Sequence, residues 1–337
     1  MKNTLTILST LLCFLFSCSK DTGSSSPPTN LVVNATISAD NSGTVTFVAS
    51  ATNATTYEYE FGNGSLQIVP SGTIIYKYIS PGTYTVTVTA KNASGKSLSK
   101  SIQVTINIML ALAWSDEFDI DGAPDASKWG YDLGAGGWGN VELQHYTNRP
   151  ENVIISGGTL KIKAIKENFS GANYTSARLL SKDKYAFKYG KVEARAKLPA
   201  GVGTWPAIWM LGSNINTVPW PACGEIDIME HLGRDLNKIY GTLHYPGRSG
   251  ANADGSTKII SNATTEFHKY AVEWTAATIK ISVDDEVFHV VANSGSTPFN
   301  NNFFLIMNIA MGGNFAGAID PAVTAATMEV DYIRVYR

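Results

Sequence analysis

Past residue 30 the chain is written in short runs where polar and apolar side chains take turns. Tyr84-Thr-Val-Thr-Val-Thr-Ala90 sets Val against Thr on every step. Lys191-Val-Glu-Ala-Arg-Ala-Lys-Leu198 places charges at 191, 193, 195 and 197 and apolar residues between them. Ile279-Lys-Ile-Ser-Val283 repeats the theme ahead of an acidic turn at Asp284-Asp285. Period-two alternation predicts strands with one wet and one buried face. Asn63-Gly64 and Pro81-Gly82 supply turns. No long amphipathic helix is visible. The pattern predicts an all-β protein of two units: a small β-sandwich over 31–108, and a larger two-sheet sandwich or jelly roll over 111–337.

The N-terminus breaks the pattern. Met1-Lys2 is followed by a short, leucine-rich apolar run, Leu5 to Phe16, too short to span a bilayer stably and suited to a signal-peptide core. Leu15-Phe16-Ser17-Cys18 then resembles the bacterial lipoprotein cleavage box. Residues 1–17 are therefore expected to be removed and Cys18 to carry lipid. That would leave an envelope protein whose sole membrane attachment is its anchor. An ordinary secretory signal with a chance cysteine is the plainer alternative. Residues 18–30, with Ser24-Ser-Ser-Pro-Pro28, read as a tether. The other cysteines are Cys13 and Cys223, so the mature chain would hold one thiol and no internal disulfide.

Composition narrows the function. Of 337 residues, 26 are Lys or Arg and 28 Asp or Glu, a formal charge of −2. That balance gives no footprint for nucleic acid. With 44% hydrophobic and 16% charged residues the chain is too apolar for disorder. There is no H-E-x-x-H or G-x-S-x-G motif, and Gly95-Lys96-Ser97 lacks the earlier glycine of a phosphate loop, Ala90 standing there.

One cluster carries chemistry. Gly224-Glu-Ile-Asp-Ile-Met-Glu230 sets three carboxylates among strand formers. On a regular strand Glu225 and Asp227 share a face and Glu230 takes the other. A β-bulge at Ile228-Met229 would return Glu230 to their side. Three crowded acids have perturbed proton affinities, and glycoside hydrolysis needs such a set: an ionised nucleophile and a protonated acid. A solvated polar face or a cation site would use the same residues. Trp138, Trp205, Trp209 and Trp220 stand in segments that precede the acids, and sugar rings stack on such flat faces. His244 reads equally as a ligand contact or a structural histidine. His231, next to Glu230, is expected to face away.

Two resemblances follow from these motifs. Tyr59-Glu-Phe-Gly-Asn-Gly64, Tyr84–Val88 and Asn92-Ala-Ser-Gly95 resemble a polycystic-kidney-disease-type (PKD) domain, with Asn63 where that family usually has Asp. This implies an immunoglobulin-like sandwich acting as spacer. Glu225-Ile-Asp-Ile-Met-Glu230 looks like the signature of glycoside hydrolase family 16. The likeness continues through Trp114–Asp119, Trp138–Gln144, Tyr189–Arg195, Trp205–Met210, Met307–Gly313 and Asp331–Tyr336. The resemblance implies a jelly roll of two curved antiparallel sheets and retaining, endo-acting hydrolysis by a monomer without organic cofactor. Glu225 would be the nucleophile, Asp227 its assistant and Glu230 the acid/base. The extra Met229 and the 138–144 and 241–245 stretches look most like bacterial laminarinases, which act on β-1,3-glucan or mixed-linkage β-1,3-1,4-glucan. By that likeness Trp138, Asn140, Arg178, Trp205, Trp209, Trp220 and His244 would line the cleft. Arg178 reads equally as a surface residue of its strand. The family also implies a structural calcium held by Glu117, the Gly158 carbonyl and Asp331, oxygen ligands that suit the ion. A marine galactan (agarose, porphyran, carrageenan) as substrate, and a glycan-binding protein without catalysis, remain open at this point.

Overall fold

The structure, a computed structural model, describes residues 26–78 and 81–337. The expected signal peptide, Cys18 and most of the tether lie outside the described residues. The chain divides into two compact units, with the boundary between Ile108 and Met109.

The first unit packs two antiparallel sheets. One holds Thr29–Ile37, Thr44–Thr52 and Thr73–Lys77; the other holds Leu66–Val69, Thr56–Glu60, Gly82–Lys91 and Ser97–Ile106. Between them lies an aromatic-rich core that includes Phe47, Tyr59, Phe61 and Tyr78. The Tyr84–Ala90 alternation resolves as the sequence predicts: Val86, Val88 and Ala90 are fully buried. The intervening threonines face outward, where Thr87 and Thr89 meet Ser101 and Ser99 of the next strand, hydroxyl to hydroxyl. The Asn63-Gly64 turn joins two paired strands, with Gly64 at a φ of +83° that favours glycine.

The second unit is a jelly roll of a ten-stranded and a seven-stranded sheet. Its large core lies between them and includes Trp129, Trp274, Phe303, Met307 and Ile333. Lys191–Leu198 shows why one sheet tolerates so many charges on its outer face. Val192, Ala194, Ala196 and Leu198 enter the core. On the other side Arg195 pairs with Asp331 at 2.6 Å and Lys197 with Glu329 at 2.7 Å. The face expected to be wet is thus partly neutralised by cross-strand pairs; Glu193, only 8% exposed, is bonded to Lys191 and to the Tyr332 hydroxyl. The Asp284-Asp285 turn is a two-residue hairpin closed by Val283 and Glu286, both aspartates having positive φ. One pairing departs from the antiparallel rule: Gln144–Tyr146 runs parallel to Ala172–Ser176.

In the seven-stranded sheet the order is Asp254–Ile259, Lys238–His244, Glu225–His231, Thr204–Gly212, Phe303–Met311, Arg178–Leu180, Gly130–Asp132. All nine residues of Phe303–Met311 are buried. A strand closed on both sides means that its second face is covered as well. That second face is the floor of the site.

Candidate active site

The Glu225–His231 strand carries one residue too many for its neighbours. Against Thr204–Gly212, Ile208 pairs with Met229 and Trp209 with Asp227, so Ile228 has no partner. Against Lys238–His244 the same step spans three residues on one side and two on the other, from Asp227–Thr242 to Glu230–Tyr240. This is the expected bulge. Ile228 and Met229 both enter the core. Glu225, Asp227 and Glu230 consequently line one cleft of about 830 Å³.

Cross-strand pairing decides which neighbours join them. Side chains of directly paired residues point the same way. Glu225 pairs with His244 and Asp227 with Thr242, so both partners face the cleft. On the other flank Ala207 and Trp209 do the same, and beyond them Asn308 and Arg178.

Each of the seven expected sugar-contact residues lines this cleft. Trp205 donates its indole N–H to Glu230 Oε1 at 2.9 Å and packs edge-on against Phe315. Trp209 donates to Asn308 Oδ1 at 2.8 Å. Arg178 lies over the rings of Trp138 and Trp209 at 5.2 and 4.8 Å, while its Nε stands 3.0 Å from Asp132. Arg178 is therefore a cleft residue held between two indoles, not a surface arginine. Trp220 is 45% exposed at the rim, near the His244 ring. His231 points away as expected: it is fully buried and its Nε2 meets the Leu236 carbonyl.

Sequence reasoning missed part of the lining. Thr242 donates to Glu230 Oε2 at 3.2 Å and lies two residues before His244, so the strand period was a usable signal. Glu142 is a buried hub that accepts from Asn140, Gln144 and Tyr146. Asn308 Nδ2 bonds the same Tyr146 hydroxyl. Asn314 and Phe315 arrive on a one-turn helix, Gly313–Ala316. Nothing in a periodic reading points to these.

Burial sets the charge state of the acids. Glu225 is pushed up to about 8 by burial and by the neighbouring Asp227 charge, with His244 and Arg178 pulling the other way. Asp227 is raised well above the carboxylate range by burial and by Glu230. Glu230 is raised by burial, against the donated bonds of Trp205 and Thr242. The three cannot all be ionised near neutral pH and titrate as one group. Asp227 has no hydrogen bond to its Oδ2 oxygen, and repulsion favours its protonation, which suits a residue sharing a proton with Glu225.

Among the described residues, Glu225, Asp227 and His244 form a set whose candidate ligand atoms lie within 4.8 Å. The His244 ring does not fit a metal there. Its Nδ1 accepts the Gly250 N–H at 3.1 Å, which leaves the ring proton on Nε2, the atom that faces the acids. The expected calcium ligands also do not fit as arranged. Both oxygens of Glu117 are taken by Arg334 and Asp331 is paired with Arg195. Gly158 sits in the turn before Leu160–Phe169 at a φ of +74°. In place of a cluster of free oxygens the structure has two ion pairs, and Arg334 draws the Glu117 carboxyl below its ordinary range.

Comparison with known proteins agrees with this geometry. The profile described as Glycosyl hydrolases family 16 matches residues 141–334. The chain belongs to glycosyl hydrolase family 16. A PKD domain profile matches residues 30–106. A beta-glucanase of Rhodothermus marinus is 46% identical over 243 residues, covering 67% of this chain and 85% of that protein. The X-ray structure of the laminarinase from Rhodothermus marinus superposes with a TM-score of 0.66 at 44% identity, over 68% of this chain and 98% of that one. A LamA variant from Z. galactanivorans, crystallised with laminaritriose and laminaritetraose, gives 0.63 at 45% identity, over 67% of this chain and 99% of that one. As a family 16 member with all three acids on one face of a tryptophan-lined cleft, the second unit is a glycoside hydrolase.

Proposed function

We propose that the protein is a retaining, endo-acting β-glucanase that cuts β-1,3-glucan or mixed-linkage β-1,3-1,4-glucan. The observation that carries this is the bulge at Ile228, which puts Glu225, Asp227 and Glu230 in one open, aromatic cleft. The relatives named for laminarin-type glucans support the substrate class.

The chemistry runs in two displacements. A Glu225 carboxylate oxygen bonds to the anomeric carbon as the bond from that carbon to the linking oxygen breaks. The linking oxygen takes the bond's electrons and the proton of Glu230. Asp227 holds the proton it shares with Glu225 and so limits the charge left in the pair. Water then attacks the anomeric carbon, Glu230 takes its proton, and Glu225 leaves as a carboxylate. No step draws on an organic cofactor or a metal. Two inversions retain the anomeric configuration.

A sulfated galactan is disfavoured by the lining. Among the described residues Arg178 is the one Arg or Lys in the cleft, and Asp132 already neutralises it. Reducing ends released from laminarin, lichenan and agarose in parallel test the reading. Oligosaccharides from laminarin or lichenan with retained configuration support it; release from agarose alone, or from none, overturns it.

The N-terminal segment supports a further part of the proposal: export and lipid attachment at Cys18 in a bacterial envelope, with the PKD-like unit as spacer and the enzyme acting as a monomer. Labelling with a radioactive fatty acid that is lost in Cys18→Ser checks the anchor.

A further inference from the structure

His244 carries an unusual constraint. Its Nδ1 lone pair is occupied by the Gly250 backbone N–H at 3.1 Å, in the short turn Gly250–Asn252. A ring charged at both nitrogens would set N–H against N–H at this contact, so the contact selects a neutral ring with its proton on Nε2. That Nε2 lies 3.3 Å from Asp227 Oδ2 and 3.7 Å from Glu225 Oε1, off the straight line to either. The ring is nearly enclosed, its side chain 14% exposed, with the Trp220 ring 5.6 Å away. Asp227 Oδ2 is buried and accepts no hydrogen bond, and His244 Nε2 is the nitrogen that stands 3.3 Å from it.

We propose that His244 is a positioning residue: a single N–H, fixed in direction by Gly250, held between the two carboxylates so that it favours the ionised form of Glu225 against burial. This rests on the hydrolase reading above and assigns His244 a role toward the acids in place of sugar contact. The single negative charge that Glu225 and Asp227 share is then met by one donor that cannot rotate away. When Glu225 becomes an ester in the glycosyl-enzyme, the same N–H is left to Asp227.

Other charges face the pair. Glu230 lies on the same strand and opposes ionisation; Arg178, on the Arg178–Leu180 strand with its partner Asp132, favours it. The Cys223 thiol lies just upstream, and burial, followed by the Glu225 charge, pushes it up to about 11, so it stays neutral. Glu142 also lines the cleft, with its oxygens engaged by Asn140, Gln144 and Tyr146. Among these, Arg178 and His244 are the groups that favour the Glu225 anion. Removing His244 leaves Arg178 alone to oppose burial and two neighbouring acids.

The test uses the full chain as wild type, His244→Leu and His244→Gln. Leu fills the space without a donor; Gln carries an N–H close to the position of Nε2. The acid limb of the kcat/KM profile on laminarin is expected to move up by about one pH unit in His244→Leu and to stay near wild type in His244→Gln. A profile scaled down with its limbs unmoved in both variants overturns the proposal and leaves His244 a sugar contact. Two measurements need no substrate. The ¹⁵N shifts of labelled histidine should show His244 with a bare Nδ1 and a protonated Nε2; the reverse tautomer overturns the proposal. The ¹³Cδ titration of Glu225, assigned by its loss in Glu225→Gln, should have a higher midpoint in His244→Leu. If wild type fails to cut any glucan, the functional reading falls while these two readouts still decide the role of His244.

Discussion

Trp205 binds Glu230 through its indole N–H at 2.9 Å, so one ring offers a flat face to the cleft and a donor to the acid. The bond favours the ionised carboxylate, the state Glu230 reaches after protonating the leaving oxygen. Burial favours the protonated state from which it starts. The two influences oppose each other, and this keeps the group near the balance that a residue acting in turn as acid and base requires.

Trp205→Phe separates the two functions of that ring. The flat face remains and the donor is lost, so the proton affinity of Glu230 rises. The alkaline limb of the kcat/KM profile should move to higher pH, with a fall in kcat at neutral pH. Glu230→Gln removes the proton altogether and should cost about 10²–10⁴ in kcat on glucan, while glucan binding by affinity electrophoresis persists.

Glu225 trades stability for reactivity. Its carboxyl is raised from 4.5 to about 8 in the fold, so the folded state holds a proton that the unfolded chain releases. The stabilisation from the protonated form is complete below about 4.5 and is lost as pH rises through about 8. Glu225→Gln escapes that loss. Its melting temperature should match wild type at pH 5 and exceed it at pH 8, on the order of 5 °C, with activity abolished. An equal difference at both pH values would disprove the ionisation argument.

The bulge gives a sharper variant. Ile228 is the residue without a partner, so deleting it closes the ladder in regular register, with Trp209–Asp227, Ile208–Met229 and Ala207–Glu230 still paired, and keeps all three acids on the cleft face. What is lost is the Ile228 side chain, which is fully buried in the core. The expected result is retained activity together with destabilisation by about 2–5 kcal/mol, the cost of removing a buried isoleucine side chain, read by urea denaturation. A folded deletion variant without turnover would show that the bulge does more than return Glu230 to the cleft.

Asn308 joins Trp209 to the Tyr146–Glu142 group. Asn308→Ala frees the indole and leaves the Tyr146 hydroxyl one partner short. If Trp209 serves as a sugar platform, KM should rise severalfold with kcat changed less, since ground-state and transition-state binding are lost together. A stability loss of about 1–2 kcal/mol should accompany it.

Much of this site was legible because strands write their faces into the sequence. Glu225, Asp227 and the two tryptophans of Trp205–Trp209 follow period two, and the extra residue before Glu230 is visible as a break in it. What stayed hidden comes from elsewhere in the sheet or from irregular backbone. Asn308 lies in a run buried on both sides, where alternation vanishes. Asn314 and Phe315 ride a one-turn helix, and the Gly250 N–H belongs to a three-residue turn. The arginines beside Glu117 and Asp331 were hidden for a different reason: cross-strand pairing sets them there, and a reading of the acids alone does not include them.

The unpartnered residue at Ile228 also bears on how such a strand can change over evolutionary time. A side chain's length or polarity can drift by degrees, but the number of residues between two acids moves only in whole steps. The bulge takes up one such step, so the acids share a face with Ile228 present or absent. Gain or loss of that one residue is therefore open to this strand without turning its acids, and substitutions around the cleft can adjust which glucan the protein prefers.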